Sequence, residues 1–154
     1  MFQKMLQVGG GGFIKKYLFK ENEGAQVEFG DYKGDNRATV TITNSDIKLG
    51  WLAPVKYRFY TSQKINLDEY SLLIVEHTFT DTGSSSRTLK IGVSDSNSDY
   101  VYDGVPYITS VTNSERHLAA IDVSEIIGEK YFKITNERTS AYQDNITIYN
   151  IWLL

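Results

Sequence analysis

Leu72-Leu73-Ile74-Val75-Glu76-His77-Thr78-Phe79-Thr80 runs into Asp81-Thr82-Gly83-Ser84-Ser85 and returns as Arg87-Thr88-Leu89-Lys90-Ile91-Gly92-Val93-Ser94. The fold class follows from this stretch. Residues 72–80 form the strongest strand candidate in the chain. In the return arm Leu89, Ile91 and Val93 recur at a period of two, the pattern of a strand with one face in a core. Asp81 to Ser85 is a cluster of turn residues. So short a gap cannot hold a crossover between parallel strands, so the two arms are expected to pair as an antiparallel hairpin.

The same signature recurs on both sides. Strands are expected over 13–20, 25–29, 38–43, 47–52, 57–62, 107–111, 117–122, 131–136 and 145–153. Val40 and Ile42 share one face, with Thr39, Thr41 and Thr43 on the other. Residues 123–127 suggest one helical turn, ended by Gly128. The total is about nine to eleven short strands with turn signals near every tenth residue. That spacing predicts an all-β, antiparallel β-sandwich of jelly-roll-like form. A chain of 154 residues fits one domain that buries roughly 70% of its unfolded surface. We place the sandwich at 13–154. Residues 1–12 form an N-terminal segment, and Gly9 to Gly12 read as its hinge, since four glycines in a row cannot sit inside a regular element.

Composition excludes several classes. Hydrophobic residues make 41% of the chain and charged ones 23%, the balance of a globular domain rather than a disordered one. The net charge is −3, and no basic stripe suits nucleic acid. No apolar run approaches the roughly 18 residues that span a bilayer. The N-terminus lacks the apolar core of a secretory signal. Cysteine is absent, which removes disulfides, thiol catalysis and thiolate metal sites. Phe13-Ile14-Lys15-Lys16 after the glycines does not continue a phosphate-binding loop. Asn145-Ile146-Thr147 matches a glycosylation sequon inside an expected strand, where chance explains it.

Catalytic signatures are missing. His77 alternates with Leu73, Val75 and Phe79 and reads as a partly buried, hydrogen-bonded strand residue; His117 reads as a loop-edge residue. Two histidines this far apart, with no paired carboxylate motif, make neither a triad nor a metal site. The carboxylates show no spacing that singles out a glycosidase pair. The expectation is a non-enzyme with no cofactor and no assigned metal. Asp95-Ser96-Asn97-Ser98-Asp99 alternates oxygen ligands like a calcium loop, but Tyr100 stands where that loop needs glycine and Pro106 where it needs the bidentate Glu. A solvated turn is the leading reading, with a structural cation as the alternative.

Aromatic side chains offer a functional surface instead. The chain has 11 tyrosines, and a tyrosine joins an apolar ring to a polar tip. Trp51, Tyr57, Tyr60, Tyr100, Tyr102 and Tyr107 fall in or beside loops and strand ends. Sugar rings stack their C–H faces on such planes, while Asp and Asn bond the hydroxyls. The candidate glycan site is therefore Tyr100, Tyr102, Tyr107 and Trp51 with Asp95, Asn97, Asp99 and Asp103. On this reading Tyr102→Ala weakens glycan binding and leaves the melting temperature nearly unchanged. Trp152 is expected in the core or in a subunit interface.

The order of several segments carries a resemblance. These are Tyr17-Leu18-Phe19-Lys20; Thr61 to Tyr70; Leu89 to Ser94; Ile121-Asp122-Val123-Ser124 with Gly128 and Tyr131-Phe132; and Ile148 to Leu153. Over residues 13–154 this order resembles small β-sandwich modules of phages and prophages of Gram-positive bacteria, found in tails, baseplates and receptor-binding devices. The resemblance implies an adhesion module for cell-surface polysaccharide, or a structural decoration touching other virion or tail proteins only. It also implies a homo-oligomer, frequently a trimer, located in the virion or in bacterial cytoplasm before assembly.

Overall fold

The computed structural model describes residues 15–32, 38–52, 56–81, 87–138 and 143–154, without the side chains of 51, 52, 56, 138 and 143. The segment 1–12 with its glycine hinge lies outside the described residues. The strands are β1 (Lys16–Lys20), β2 (Gly24–Ala25), β3 (Phe29–Tyr32), β4 (Ala38–Ile42), β5 (Ile47–Leu52), β6 (Lys56–Thr61), β7 (Ile65–Asn66), β8 (Leu72–Asp81), β9 (Arg87–Ser94), β10 (Asp103–Thr109), β11 (Asn113–Asp122), β12 (Glu129–Arg138) and β13 (Gln143–Leu153). The chain is all-β, as expected. The 13 strands exceed the expected nine to eleven because the two-residue pairings β2 and β7 are too short to show a period.

Two antiparallel sheets make the sandwich. The first runs β11-β8-β13-β1-β2, and β13 also pairs β5, which pairs β4. The second runs β10-β9-β12-β6-β3, with β7 on β12. Alternate residues of both sheets meet in one core. Leu73, Val75 and Phe79 come from β8, Leu89, Ile91 and Val93 from β9, Phe132 and Ile134 from β12, and Ile146, Ile148, Ile151 and Leu153 from β13. A bulge between Ile148 and Asn150 restores the inward phase of the last turn of β13.

The expected hairpin is not there. β8 lies between β11 and β13 in the first sheet, and β9 between β10 and β12 in the second. Their inward faces were correctly placed, but alternation does not say which sheet a face belongs to. A short link can turn back within one sheet or arch across the roughly 10 Å between two. An ion pair ties the two strand ends: Arg87 Nη2 at the start of β9 lies 2.6 Å from Asp81 Oδ2 at the end of β8. Asp144 of β13 takes a hydrogen bond from Asn136 of β12 at 3.3 Å, linking the sheets a second time.

Two further expectations change. Residues 123–127 make one hydrogen-bonded turn, Ile126 N–H to Val123 O at 3.0 Å, not a helical turn. Gly128 does end it, at φ 79°, where a side chain is strained. His117 is not at a loop edge. It sits in β11 directly opposite His77 of β8.

Candidate glycan-binding face

The outer face of the second sheet is built by rows of side chains that alternate with the core. Tyr32 of β3 pairs with Arg58 of β6, and Arg58 with Thr135 of β12. One step along, Gly30 pairs with Tyr60 and Tyr60 with Lys133. The segment 95–102 folds back over this face. It carries Tyr100 to the Arg58 guanidinium, whose carbon lies 5.0 Å from the Tyr100 ring and 4.2 Å from the Tyr32 ring. Such cation–π contacts contribute about 0.5–1 kcal/mol at exposed sites and more when desolvated. Tyr32 is 46% exposed, while Arg58 is half-buried with its Nε covered.

Lys133 organises the covering segment. It lies on the outer face, where a lysine normally reaches water, yet it is 0% exposed. Its ammonium donates to Ser96 O at 3.0 Å, Asp99 O at 3.1 Å, Val101 O at 2.7 Å and Asp99 Oδ1 at 3.0 Å. This is the ligand set a cation would take in a calcium loop, with an ammonium supplied by a strand. Only Asp99 lends a side chain to this cradle; Ser96, Ser98 and Asp99 otherwise make local turn hydrogen bonds, as the solvated-turn reading expects. Burial lowers the Lys133 pKa, and the Asp99 carboxylate opposes that. In return, the Lys133 hydrogen bond draws the Asp99 pKa down. Among the described residues no group of three or more His, Cys, Asp or Glu is placed to hold a metal ion.

The remaining candidates separate. Tyr102 lies flat on the sheet: its hydroxyl donates to Lys90 O at 3.1 Å and shares a 2.8 Å hydrogen bond with Thr135 Oγ1. The flat pose needs Gly92, where a Cβ would stand 2.8 Å from Tyr102 Cδ1. Tyr102 therefore seals Lys133 and Thr135 from water, and the expected neutrality of Tyr102→Ala toward melting does not survive. We expect Tyr102→Phe to cost about 1 kcal/mol for the lost hydrogen bonds, and Tyr102→Ala about 3 kcal/mol. Chemical denaturation reads both, and an unchanged midpoint in the alanine variant counts against this role.

Tyr107 points the other way, into the sandwich, with its ring centroid 6.0 Å from that of His77. Tyr107 is partly buried there, and Tyr57 fully so. Asp95 stays at the surface and accepts from Lys130 Nζ at 2.9 Å. Asp103 lies 3.3 Å from the same ammonium and also accepts the Asp95 N–H at 2.8 Å. Asn97 is half-buried midway along the segment. Trp51 belongs to β5 of the first sheet, paired with Asp144 and Ala38, so its strand lies away from the segment; its side chain lies outside the described residues. Trp152 is half-buried on the outer face of the first sheet, 6.1 Å from Tyr17 between ring centroids, rather than in the core.

The structure thus joins Tyr100, Asp99, Asp95 and Asp103 on one face and adds Tyr32, Arg58, Tyr60 and Tyr131, with Lys133 buried beneath the segment. Sequence reading missed Tyr32 and Arg58. The alternation Tyr57-Arg58-Phe59 marks Arg58 as outward, but nothing local shows what stands beside it.

The architecture is shared with carbohydrate-binding modules. A family 11 carbohydrate-binding module from Clostridium thermocellum, in complex with a β-1,3-1,4-mixed-linked tetrasaccharide, superposes with TM-score 0.55 at 16% identity, covering 94% of this chain and 97% of that one. A mutant of a family 29 carbohydrate-binding module gives TM-score 0.55 at 14% identity over 91% and 90%. The K3 adhesin domain of Lys-gingipain from Porphyromonas gingivalis w83 gives 0.59 at 11% over 90% and 100%. At such identities the likeness is one of fold. No protein-family model and no curated protein matches the sequence.

Proposed function

We propose that this chain is a non-catalytic carbohydrate-binding domain whose glycan lies along the outer face of the second sheet. The Tyr32–Arg58–Tyr100 stack carries the reading. It sets two aromatic rings and a cation side by side on one face, Tyr32 the most exposed of them, with Asp99, Asp95 and Lys130 alongside as hydrogen-bonding groups. Binding is reversible: rings stack on the tyrosines, and Arg58 and the carboxylates bond hydroxyls. The finer setting, a phage or prophage tail adhering to Gram-positive cell-surface polysaccharide, is supported by the order of segments over 13–154. Repeated copies on one particle, as a homo-oligomer, would raise a weak single-site affinity.

Co-sedimentation with Gram-positive cell walls, before and after their polysaccharide is stripped, tests this. We expect polysaccharide-dependent pelleting, weakened about tenfold or more in Arg58→Ala and in Tyr100→Ala, since such anchors contribute about 1–3 kcal/mol each. Wild-type binding by both variants removes this face from the site.

A purely structural role with protein-only contacts is favoured by a different observation. Val105 is 81% exposed, and Ile108, Val111 and Leu118 are also exposed along the neighbouring edge strands β10 and β11 and their link. Absence of pelleting with several hosts, together with an oligomeric mass lost on Val105→Lys, would favour it.

A further inference from the structure

We propose that His77 and His117 form a two-imidazole site for a borderline divalent cation (Cu2+, Ni2+ or Zn2+) at the edge of the sandwich. They face each other across the β8–β11 ladder, with ring centroids 4.1 Å apart. Their hydrogen bonds set the same nitrogen free in each. His77 Nδ1 is bonded to Val75 O at 3.1 Å and His117 Nδ1 to Glu115 O at 3.1 Å. A carbonyl only accepts, so both Nδ1 atoms carry hydrogen and Nε2 is the remaining nitrogen of each ring. A backbone carbonyl bonded to the distal N–H is also the usual way a metal-binding imidazole is oriented.

His77 Nε2 is buried and has no hydrogen-bond partner, an expensive state for a polar atom with no compensating role. Burial also holds the His77 pKa at about 4, so the ring is neutral at physiological pH and Nε2 presents a lone pair. Rings 4.1 Å apart between centroids are close enough for metal–nitrogen bonds of about 2.0–2.1 Å to one ion once both Nε2 atoms turn toward it. Imidazole pairs suit copper, nickel and zinc, with copper(II) the tightest. β11 is the outer strand of its sheet and His117 is half-buried, so the open side is that of His117. No third His, Cys, Asp or Glu completes a set among the described residues, which leaves the other positions to water. Tyr107 stands on the inner side in a T-shaped contact with His77.

The test titrates the metal-free full-length chain with Cu2+, Ni2+ and Zn2+ separately by calorimetry. Long-range 15N–1H spectra of the histidine rings follow the Zn2+ titration. We expect one ion per chain, Cu2+ the tightest, and Zn2+ moving the Nε2 resonances of both rings. His117→Gln, at the half-buried position, should weaken binding about tenfold or more while keeping the strand spectrum of the wild type. His77→Leu should do the same. No saturable binding below about 1 mM, Nε2 shifts confined to one ring, or undiminished affinity in His117→Gln would each overturn the site.

Discussion

Lys133→Met should lower stability by about 3 kcal/mol and the melting temperature by about 6–12 °C. Methionine fills the same length without donors, so Ser96 O, Asp99 O and Val101 O lose the ammonium they share. Each buried acceptor left unmade costs about 1–3 kcal/mol, and swinging the segment into water recovers part of this. The loss of order should be local as well. Residues 95–103 should become the first site of proteolytic cleavage, and glycan binding should weaken, because Tyr100 is held beside Arg58 by the same segment. Asp99→Asn should be milder, about 1 kcal/mol or less, since the Asp99 side chain is 46% exposed and its charge is screened. Urea denaturation and limited proteolysis of the two variants give the comparison. Equal stabilities for wild type and Lys133→Met would show that the ammonium does not organise the segment.

Acid should destabilise the fold through His77. Its pKa in the folded chain is about 4, held there by burial, against about 6.5 in an unfolded chain. Between those values the unfolded chain binds a proton that the folded chain refuses. Stability therefore falls as pH drops through this window, and the full penalty, about 3 kcal/mol, is reached below pH 4. The groups facing the ring are the Val75 carbonyl, His117 and Tyr107. Carboxylates such as Asp95 and Asp99, whose pKa values are drawn down by Lys130 and Lys133, titrate lower and add their own loss. The measurement is therefore a difference: urea unfolding of wild type and of His77→Leu from pH 7 to pH 4. The variant should lose about 3 kcal/mol less over that range. Parallel curves would mean that His77 takes up its proton in the folded state without penalty.

These expectations show how differently parts of the chain could be read. The period of two in residues 72–80 and 87–94 identified the inward faces correctly, because alternation is a local property of an extended backbone. It failed on pairing, because whether 81–87 turns within a sheet or arches between sheets depends on β11, β13, β10 and β12, which are distant in sequence. The aromatic segment 95–107 was found by composition, but its three tyrosines go to three environments. Tyr100 meets Arg58 at the surface, Tyr102 is pinned to Thr135, and Tyr107 faces His77 in the interior. Residue type was legible there; direction was not, because it depends on which strand each residue leaves or joins.

Composition and strand period alone thus give an all-β sandwich, the inward faces of residues 72–80 and 87–94, the absence of thiol chemistry and an oxygen-rich turn at 95–99. Each follows from composition or from the fixed period of a strand. Long-range pairing places Lys133, 34 residues beyond Asp99, in the 96–101 segment, sets Tyr32 and Arg58 with Tyr100, and turns His77 toward His117. Those are contacts between strands that the chain brings together across long separations, and strand alternation carries no information about neighbours in a sheet.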